Sequence, residues 1–370
     1  MSERRGEASG RKEQGFCQHR GGPRASQAAR RKAGGDASYN TTSAAPDSPE
    51  RNPPTRMAPE SYLARLNTRL ADGIARLPAA TRARHAGYLR AAQRADGGFP
   101  DREGGSDLYY TGFALRGLSV LDALTPEVCQ RAAGFLRHNL TQSASVVDFF
   151  SLLYACLLVQ ASGGPDVLAG APADWPERTA ALLETFRTPD GGYGKTPGGA
   201  SGSTYHTFLV GLCYQLLGKS LPDPAAIVRF TASRRREDGG FVEIGPMRRG
   251  GTNPTAAAVG LLQLTAPHGD ALLAEVRDGV ADFLAEMASP EGGLRANARA
   301  PLADLLSTFT ASWTLHQLGA LDRLDADAVR AFAESAERPD GGFHGGVWDE
   351  GWDVEYTFYG LGVQGLYALH

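Results

Sequence analysis

The chain has 370 residues, is 42% hydrophobic and carries a formal net charge of -3. Its periodic part has no basic stripe, which excludes a nucleic-acid-binding protein, and no apolar run long enough to span a bilayer. Four cysteines (Cys17, Cys129, Cys156 and Cys213) form no CxxC pair, and the charged N-terminus lacks an apolar signal region, so a reducing, cytoplasmic setting is expected.

Residues 1–58 are rich in Arg, Gly, Ser, Ala and Pro and show no apolar period. Such a segment cannot bury enough surface to offset its ordering entropy, so a disordered tail is expected. It reads either as a basic docking tail or as untranslated sequence, because Met57 opens MAPESYLARLNTRL as an alternative start.

Residues 60–370 repeat. The marker is an acid, two glycines and an apolar residue, at Asp96–Phe99, Asp190–Tyr193, Asp238–Phe241, Glu291–Leu294 and Asp340–Phe343. The intervals are 94, 48, 53 and 49 residues. The first is close to two periods, which predicts a degenerate copy near residue 140. A period of this length marks helix pairs or propeller blades.

Helical patterning decides for helix pairs. Six segments align after the markers: DLYYT from Asp107, VDFFS from Val147, STYHT from Ser203, GTNPT from Gly251, DLLST from Asp304 and DVEYT from Asp353. The fifth position is always Ser or Thr, and an almost wholly apolar run follows, which predicts a helix buried on all sides. The helices before the markers, such as AVRAFAESAER, are amphipathic. Six of each kind, alternating, predict an all-α (α/α)6 toroid, a double ring of six inner and six outer helices. Each marker turn would end an outer helix, where glycine tolerates a left-handed backbone. Every inner helix would then start at one mouth of a central cavity.

The repeats QRADGGF, RTPDGGY, RREDGGF and RPDGGF, followed by helices such as YTFYGLGVQGL, resemble those of the prenyltransferase and squalene-cyclase family over roughly residues 80–370. Within it the chain resembles the protein prenyltransferase (geranylgeranyltransferase type II) β subunit. That resemblance implies an isoprenoid diphosphate as ligand, an α-type partner subunit and a zinc ion. The family's metal-binding aspartate falls on Asp304. Its cysteine and histidine fall on Leu306 and Tyr356, so two of the three ligands are replaced. Basic loop residues of the family hold the lipid diphosphate, which implies that role for Arg248, Arg249 and Arg299, with Arg295 beside them. The family's cyclases start with an acidic DxDD motif, of which Asp353-Val354-Glu355-Tyr356 is a partial match.

The residues themselves add to this. Five of the six first-column residues are preferred N-cap types, so Asp107, Asp304 and Asp353 also read as caps. Glu355 stands in a column otherwise held by Tyr109, Phe149, Tyr205, Asn253 and Leu306. A carboxyl there should point into an aromatic funnel, where burial raises its pKa and suits it to give a proton. Tyr109, Tyr110, Phe149, Phe150, Tyr205, Phe309, Tyr356 and Tyr359 are candidates for the lining. Trp348 and Trp352 either offer ring faces to an isoprenoid or a cation or seal the seam of the toroid. His206 and Cys213 share a helix face and read as core.

Three functions follow as expectations. The first is transfer of a prenyl group from an isoprenoid diphosphate, with Arg248, Arg249, Arg299, Tyr205, Trp352 and Tyr356 binding substrate. The second is a one-barrel class II terpene cyclase with Glu355 or Asp353 as acid. The third is a non-catalytic toroid that binds a partner.

Overall fold

In the computed structural model, residues 60–140 and 145–370 are described. The expectations for residues 1–58 lie outside the described residues, as does part of the stretch near residue 140 where a degenerate marker was expected (141–144). The inner helices are α3 (Leu108–Val120), α5 (Val146–Ala161), α7 (Thr204–Leu216), α9 (Thr252–Leu264), α11 (Leu305–Gln317) and α13 (Val354–Tyr367). The outer helices are α2 (Ala79–Ala92), α4 (Pro126–Asn139), α6 (Trp175–Glu184), α8 (Pro224–Ser233), α10 (Asp270–Ala285) and α12 (Ala326–Ser335). Each inner helix packs against the next, and α13 returns to pack on α3, so the ring closes. The expected (α/α)6 toroid is thus formed.

The caps explain why the inner helices start where they do. Asp107, Ser203, Asp304 and Asp353 each accept a hydrogen bond from a first-turn backbone N–H of the helix that follows. Helix α5 departs from the column. Its N-cap is Ser145 in a capping box with Asp148, two residues before Val147.

The fifth-column hydroxyls tie the two rings together. The Oγ1 atoms of Thr111, Thr207, Thr255 and Thr308 accept from the backbone N–H groups of Phe99, Tyr193, Phe241 and Leu294, the last residues of four of the five markers, at 2.8–2.9 Å. Those N–H groups are buried, so each bond avoids a desolvation cost of about 1–3 kcal/mol. The marker's first glycine is equally required. Gly239 has φ 84°, and a Cβ there would lie 2.5 Å from the Gly279 carbonyl oxygen.

One helix was not foreseen. α1 (Tyr62–Ile74) belongs to neither ring. It runs across the C-terminal ends of the inner helices. The Tyr62 N–H donates to Gln215 Oε1 near the end of α7 at 3.0 Å, Arg65 Nη2 to Gln263 Oε1 of α9 at 3.2 Å, and Arg69 Nη2 to the Leu366 carbonyl of α13 at 3.1 Å. Its other face buries Leu63, Leu66, Leu70 and Ile74. The toroid is therefore closed at that end, and the loops at the helix N-termini form the open mouth. Two two-stranded antiparallel ribbons lie at this mouth, β1 (Phe99–Pro100) with β2 (Ser106–Asp107) and β3 (Phe343–His344) with β4 (Trp352–Asp353).

Candidate active site

A cavity of about 390 Å³ fills the centre of the ring, within the size range of small-ligand sites. Of the aromatic residues expected to line it, Tyr109, Phe150, Tyr205, Phe309 and Tyr359 do so. Tyr110, Phe149 and Tyr356 are not among its lining residues. Tyr62, Leu63 and Leu66 of α1 make its floor, and Trp313 stands beside them, donating its indole N–H to the Tyr62 hydroxyl at 2.9 Å.

Glu355 lies in the first turn of α13, at the mouth end. Its Oε1 accepts from the Tyr109 hydroxyl at 2.6 Å and from the Tyr359 hydroxyl at 3.1 Å. Glu355 does not itself line the cavity; the two tyrosines that do stand between its Oε1 and the space. Burial pushes its carboxyl above the ordinary range. The Tyr109 hydrogen bond opposes that shift, and the neighbouring Asp353 charge adds to it. The same burial, with Glu355 beside it, drives the Tyr109 hydroxyl upward, so it stays protonated.

Asp353, two residues away, is differently placed. Its Oδ1 accepts from the Tyr356 N–H at 2.8 Å, and its Oδ2 from Arg102 Nε at 2.6 Å. Arg102 also grips Asp349 with both terminal nitrogens, at 2.8 and 3.2 Å. A paired, buried cap whose two oxygens are both engaged is a structural anchor rather than a proton donor. The guanidinium of Arg102 lies 5.2 Å from the centre of the Tyr356 ring.

The expected diphosphate clamp is not assembled at the cavity. Arg248 and Arg249 are exposed and face a separate hollow of about 810 Å³, shared with Arg235 and Arg236. Arg299 is exposed as well, and Arg295 is spent on the Glu286 and Met287 carbonyls. Trp352 is 47% exposed and stands over Arg338, 3.9 Å from guanidinium carbon to ring centre, outside the cavity. Trp348 is also exposed and donates to the Ala303 carbonyl at 3.1 Å. Cys213 is buried, as expected of a core residue, whereas His206 is half-buried, its Nδ1 2.8 Å from the Ser203 hydroxyl.

The residues do not fit the zinc ion that the resemblance implies. Leu306 has no donor atom. Asp304 caps α11, and its two oxygens accept from the Ser307 N–H and hydroxyl at 2.7 and 2.9 Å. Among the described residues, no three His, Cys, Asp or Glu side chains group as a metal site would require. Purified protein is expected to carry substoichiometric zinc by elemental analysis, unchanged in Asp304→Ala. One zinc per chain, lost in that variant, would overturn this.

Besides the α1 residues and Trp313, two charged cavity residues escaped the sequence reading. Glu243 follows the marker Asp238–Phe241 by two positions. Its backbone carbonyl accepts from the Thr204 N–H at 3.0 Å, which hangs its side chain over the start of α7. There it accepts from the Ser203 hydroxyl, and burial raises its carboxyl above the ordinary range against that bond. The second is Arg116 of α3, seven residues below Tyr109. Nothing in the marker pattern singles out either position. An Arg inside an almost wholly apolar helix run was the available signal for Arg116.

The description "Prenyltransferase alpha-alpha toroid domain" matches residues 73–139, 130–266 and 255–368. No curated protein matches the chain significantly. Among solved structures, Candida albicans protein geranylgeranyltransferase-I complexed with GGPP is similar at 14% identity and a TM-score of 0.60, covering 76% of this chain and 89% of that one. A variant of the type II terpene cyclase MstE from Scytonema, in complex with geranylgeranyl dihydroxybenzoate as substrate, is similar at 14% identity and a TM-score of 0.53, covering 82% and 98%. An inactive variant of the α-1,6-mannanase GH76A of Salegentibacter, with bound mannotriose, is similar at 12% identity and a TM-score of 0.54, covering 82% and 98%. At such identities the likeness is one of fold, and the fold hosts more than one chemistry.

Proposed function

The chain belongs to the prenyltransferase alpha-alpha toroid family, and from that membership and the cavity's chemistry we propose that it is a single-toroid terpene cyclase that starts its reaction by protonating an alkene. The observation that carries this reading is the Glu355–Tyr109–Tyr359 group, a carboxyl raised by burial and joined by tyrosine hydroxyls to an apolar cavity. In the reactive arrangement the protonated Glu355 carboxyl donates to the Tyr109 oxygen and the Tyr109 hydroxyl turns from Glu355 to the substrate alkene, so Glu355 gives its proton to Tyr109 as Tyr109 passes its own to the alkene. The carboxylate left behind accepts from both tyrosines, and its charge offsets the carbocation formed. The aromatic faces of Tyr205, Phe309 and Tyr359 stabilise that cation, and the apolar walls keep water from quenching it.

The MstE likeness supports the size of the proposed enzyme, since nearly all of that cyclase chain superposes on part of this one. The test is product analysis by gas chromatography after incubation with linear polyprenols in the presence of a chelator. A cyclised isomer is the expected result. Its rate should be highest at low pH and should fall as pH rises through the raised Glu355 pKa, because only the protonated carboxyl is active. A rate that rises over that interval would refute the acid role.

Prenyl transfer from an isoprenoid diphosphate is the second reading, supported by the similarity to the GGPP-bound transferase. It needs an α-type subunit and a diphosphate cradle; release of diphosphate from geranylgeranyl diphosphate would select it. A toroid that only binds would turn over neither substrate. No helix among the described residues is long and apolar enough to cross a membrane.

A further inference from the structure

A small alcove of about 30 Å³ opens off the central cavity between α3 and α5. It exists because small residues face each other there. Gly112 lies against Ser151, and a Cβ at Gly112 would already touch the Ser151 Cβ at 3.4 Å. Arg116, Ser151 and Tyr154 all line it. Each brings hydrogen-bond donors, and none of the three side chains has a hydrogen-bond or ion-pair partner among the described residues.

Each of these vacancies has a physical reading. Ser151 is the fifth-column residue of α5. Its counterparts Thr111, Thr207, Thr255 and Thr308 each accept from a marker N–H group, whereas the Ser151 hydroxyl has no such partner among the described residues. The Tyr154 ring is 5% exposed, and burial raises its hydroxyl pKa. It is therefore a neutral donor. The Arg116 guanidinium is held by rings alone, 4.1 Å from the centre of Phe358, 4.5 Å from Phe113 and 5.7 Å from Tyr154. Stacking fixes its plane but leaves its N–H groups unanswered. A guanidinium whose N–H groups face a cavity without a partner is best satisfied by an anion. Beside a cavity where a carbocation forms it would also repel the intermediate, unless the ligand neutralises it.

We propose that this alcove is a subsite for a carboxylate carried by the substrate, so that the enzyme acts on an isoprenoid acid or an isoprenoid attached to one. The guanidinium fork suits the two carboxylate oxygens, with Ser151 and Tyr154 as further donors. Two facts favour a carboxylate over a diphosphate. Arg116 is the one Lys or Arg among the residues lining either hollow, which matches a single negative charge. The alcove has room for a group of few atoms only. The proposal rests on reading the cavity as an isoprenoid site.

The experiment is titration calorimetry of the full chain with farnesoic acid, farnesol and farnesyl diphosphate at neutral pH. Farnesoic acid is expected to bind at least about tenfold more tightly than farnesol, the scale of a charge-assisted hydrogen-bonded pair. Arg116→Met should erase that preference while still binding farnesol, and Arg116→Lys should restore part of it. Ser151→Ala and Tyr154→Phe should each lower it several-fold. Melting curves of each variant separate loss of the site from loss of the fold. Farnesol binding without a preference for the acid, a preference that survives Arg116→Met, or a preference for the diphosphate over the acid would each overturn the alcove proposal and leave the isoprenoid reading standing. If none of the three probes binds, both fall.

Discussion

Glu355→Gln is expected to lower cyclisation turnover by roughly 10²–10⁴-fold, the usual contribution of a positioned general acid. The substitution keeps the shape of the side chain. Its amide oxygen can still accept from Tyr109 and Tyr359, now at 2.6 and 3.1 Å from Glu355 Oε1, so the cavity wall stays in place. What is lost is the proton. Binding of a polyprenol should therefore be unchanged while kcat falls, the pattern of an interaction made only in the transition state. Tyr109→Phe should show the same split, because it cuts the path between carboxyl and cavity. Asp353→Asn should instead lower stability through the Arg102 pair and the α13 cap, with a smaller effect on kcat. Progress curves with saturating polyprenol and binding titrations on the same preparations read both quantities. A Glu355→Gln enzyme as active as the parent would remove Glu355 from the chemistry and leave Glu243 as the carboxyl that lines the cavity.

Gly73→Ala and Gly87→Ala make the same chemical change with opposite expected signs. Gly73 of α1 meets Gly365 of α13, and a Cβ at Gly73 would lie 1.8 Å from the Gly365 carbonyl oxygen. Backbone cannot yield as a side-chain tip can, so the two helices must separate. The net loss is expected to be about 2 kcal/mol, a fall in melting midpoint of roughly 4 °C or more. Gly87 lies mid-helix in α2 with nothing within 4 Å of its Cβ position. Alanine there should gain about 0.5–1 kcal/mol through helix propensity and a less mobile unfolded chain. Thermal melts by circular dichroism compare the pair directly. Because Gly73 seats the floor helix, Gly73→Ala should also disturb the Trp313–Tyr62 hydrogen bond and loosen polyprenol binding. If Gly73→Ala melts no lower than the parent, the α1–α13 contact is not as close as described.

Period, marker and column position made the double ring legible, because those features answer to local physics. A glycine with positive φ ends an outer helix, an Asp or Ser caps an inner one, and a Thr four residues on receives the marker's N–H. Each of these contacts is short-range and recurs in most of the repeats, so a repeating sequence displays it. Helix α5 shows the boundary of that reasoning. There the cap is Ser145 rather than the first-column Val147, and the Ser151 hydroxyl receives no marker N–H.

The site was legible only in part. Glu355 stood out because a carboxyl interrupts an aromatic column, and its tyrosine partners lay in columns already expected to line the funnel. Arg248, Arg249, Arg299 and Trp352 did not reach the cavity, because a loop residue's direction depends on the loop's path and not on its column. Helix α1 carries no repeat, so nothing in the periodicity foretold that it would close the floor; its place is set by its packing on α13, α3 and α9. Glu243 and Arg116 belong to this second class too. The sequence by itself determined which segments become inner and outer helices, since capping, backbone conformation and apolar periodicity act over a few residues. Only the tertiary structure decided which side chains meet in the cavity, because that depends on contacts between residues as far apart in the chain as Tyr109 and Glu355.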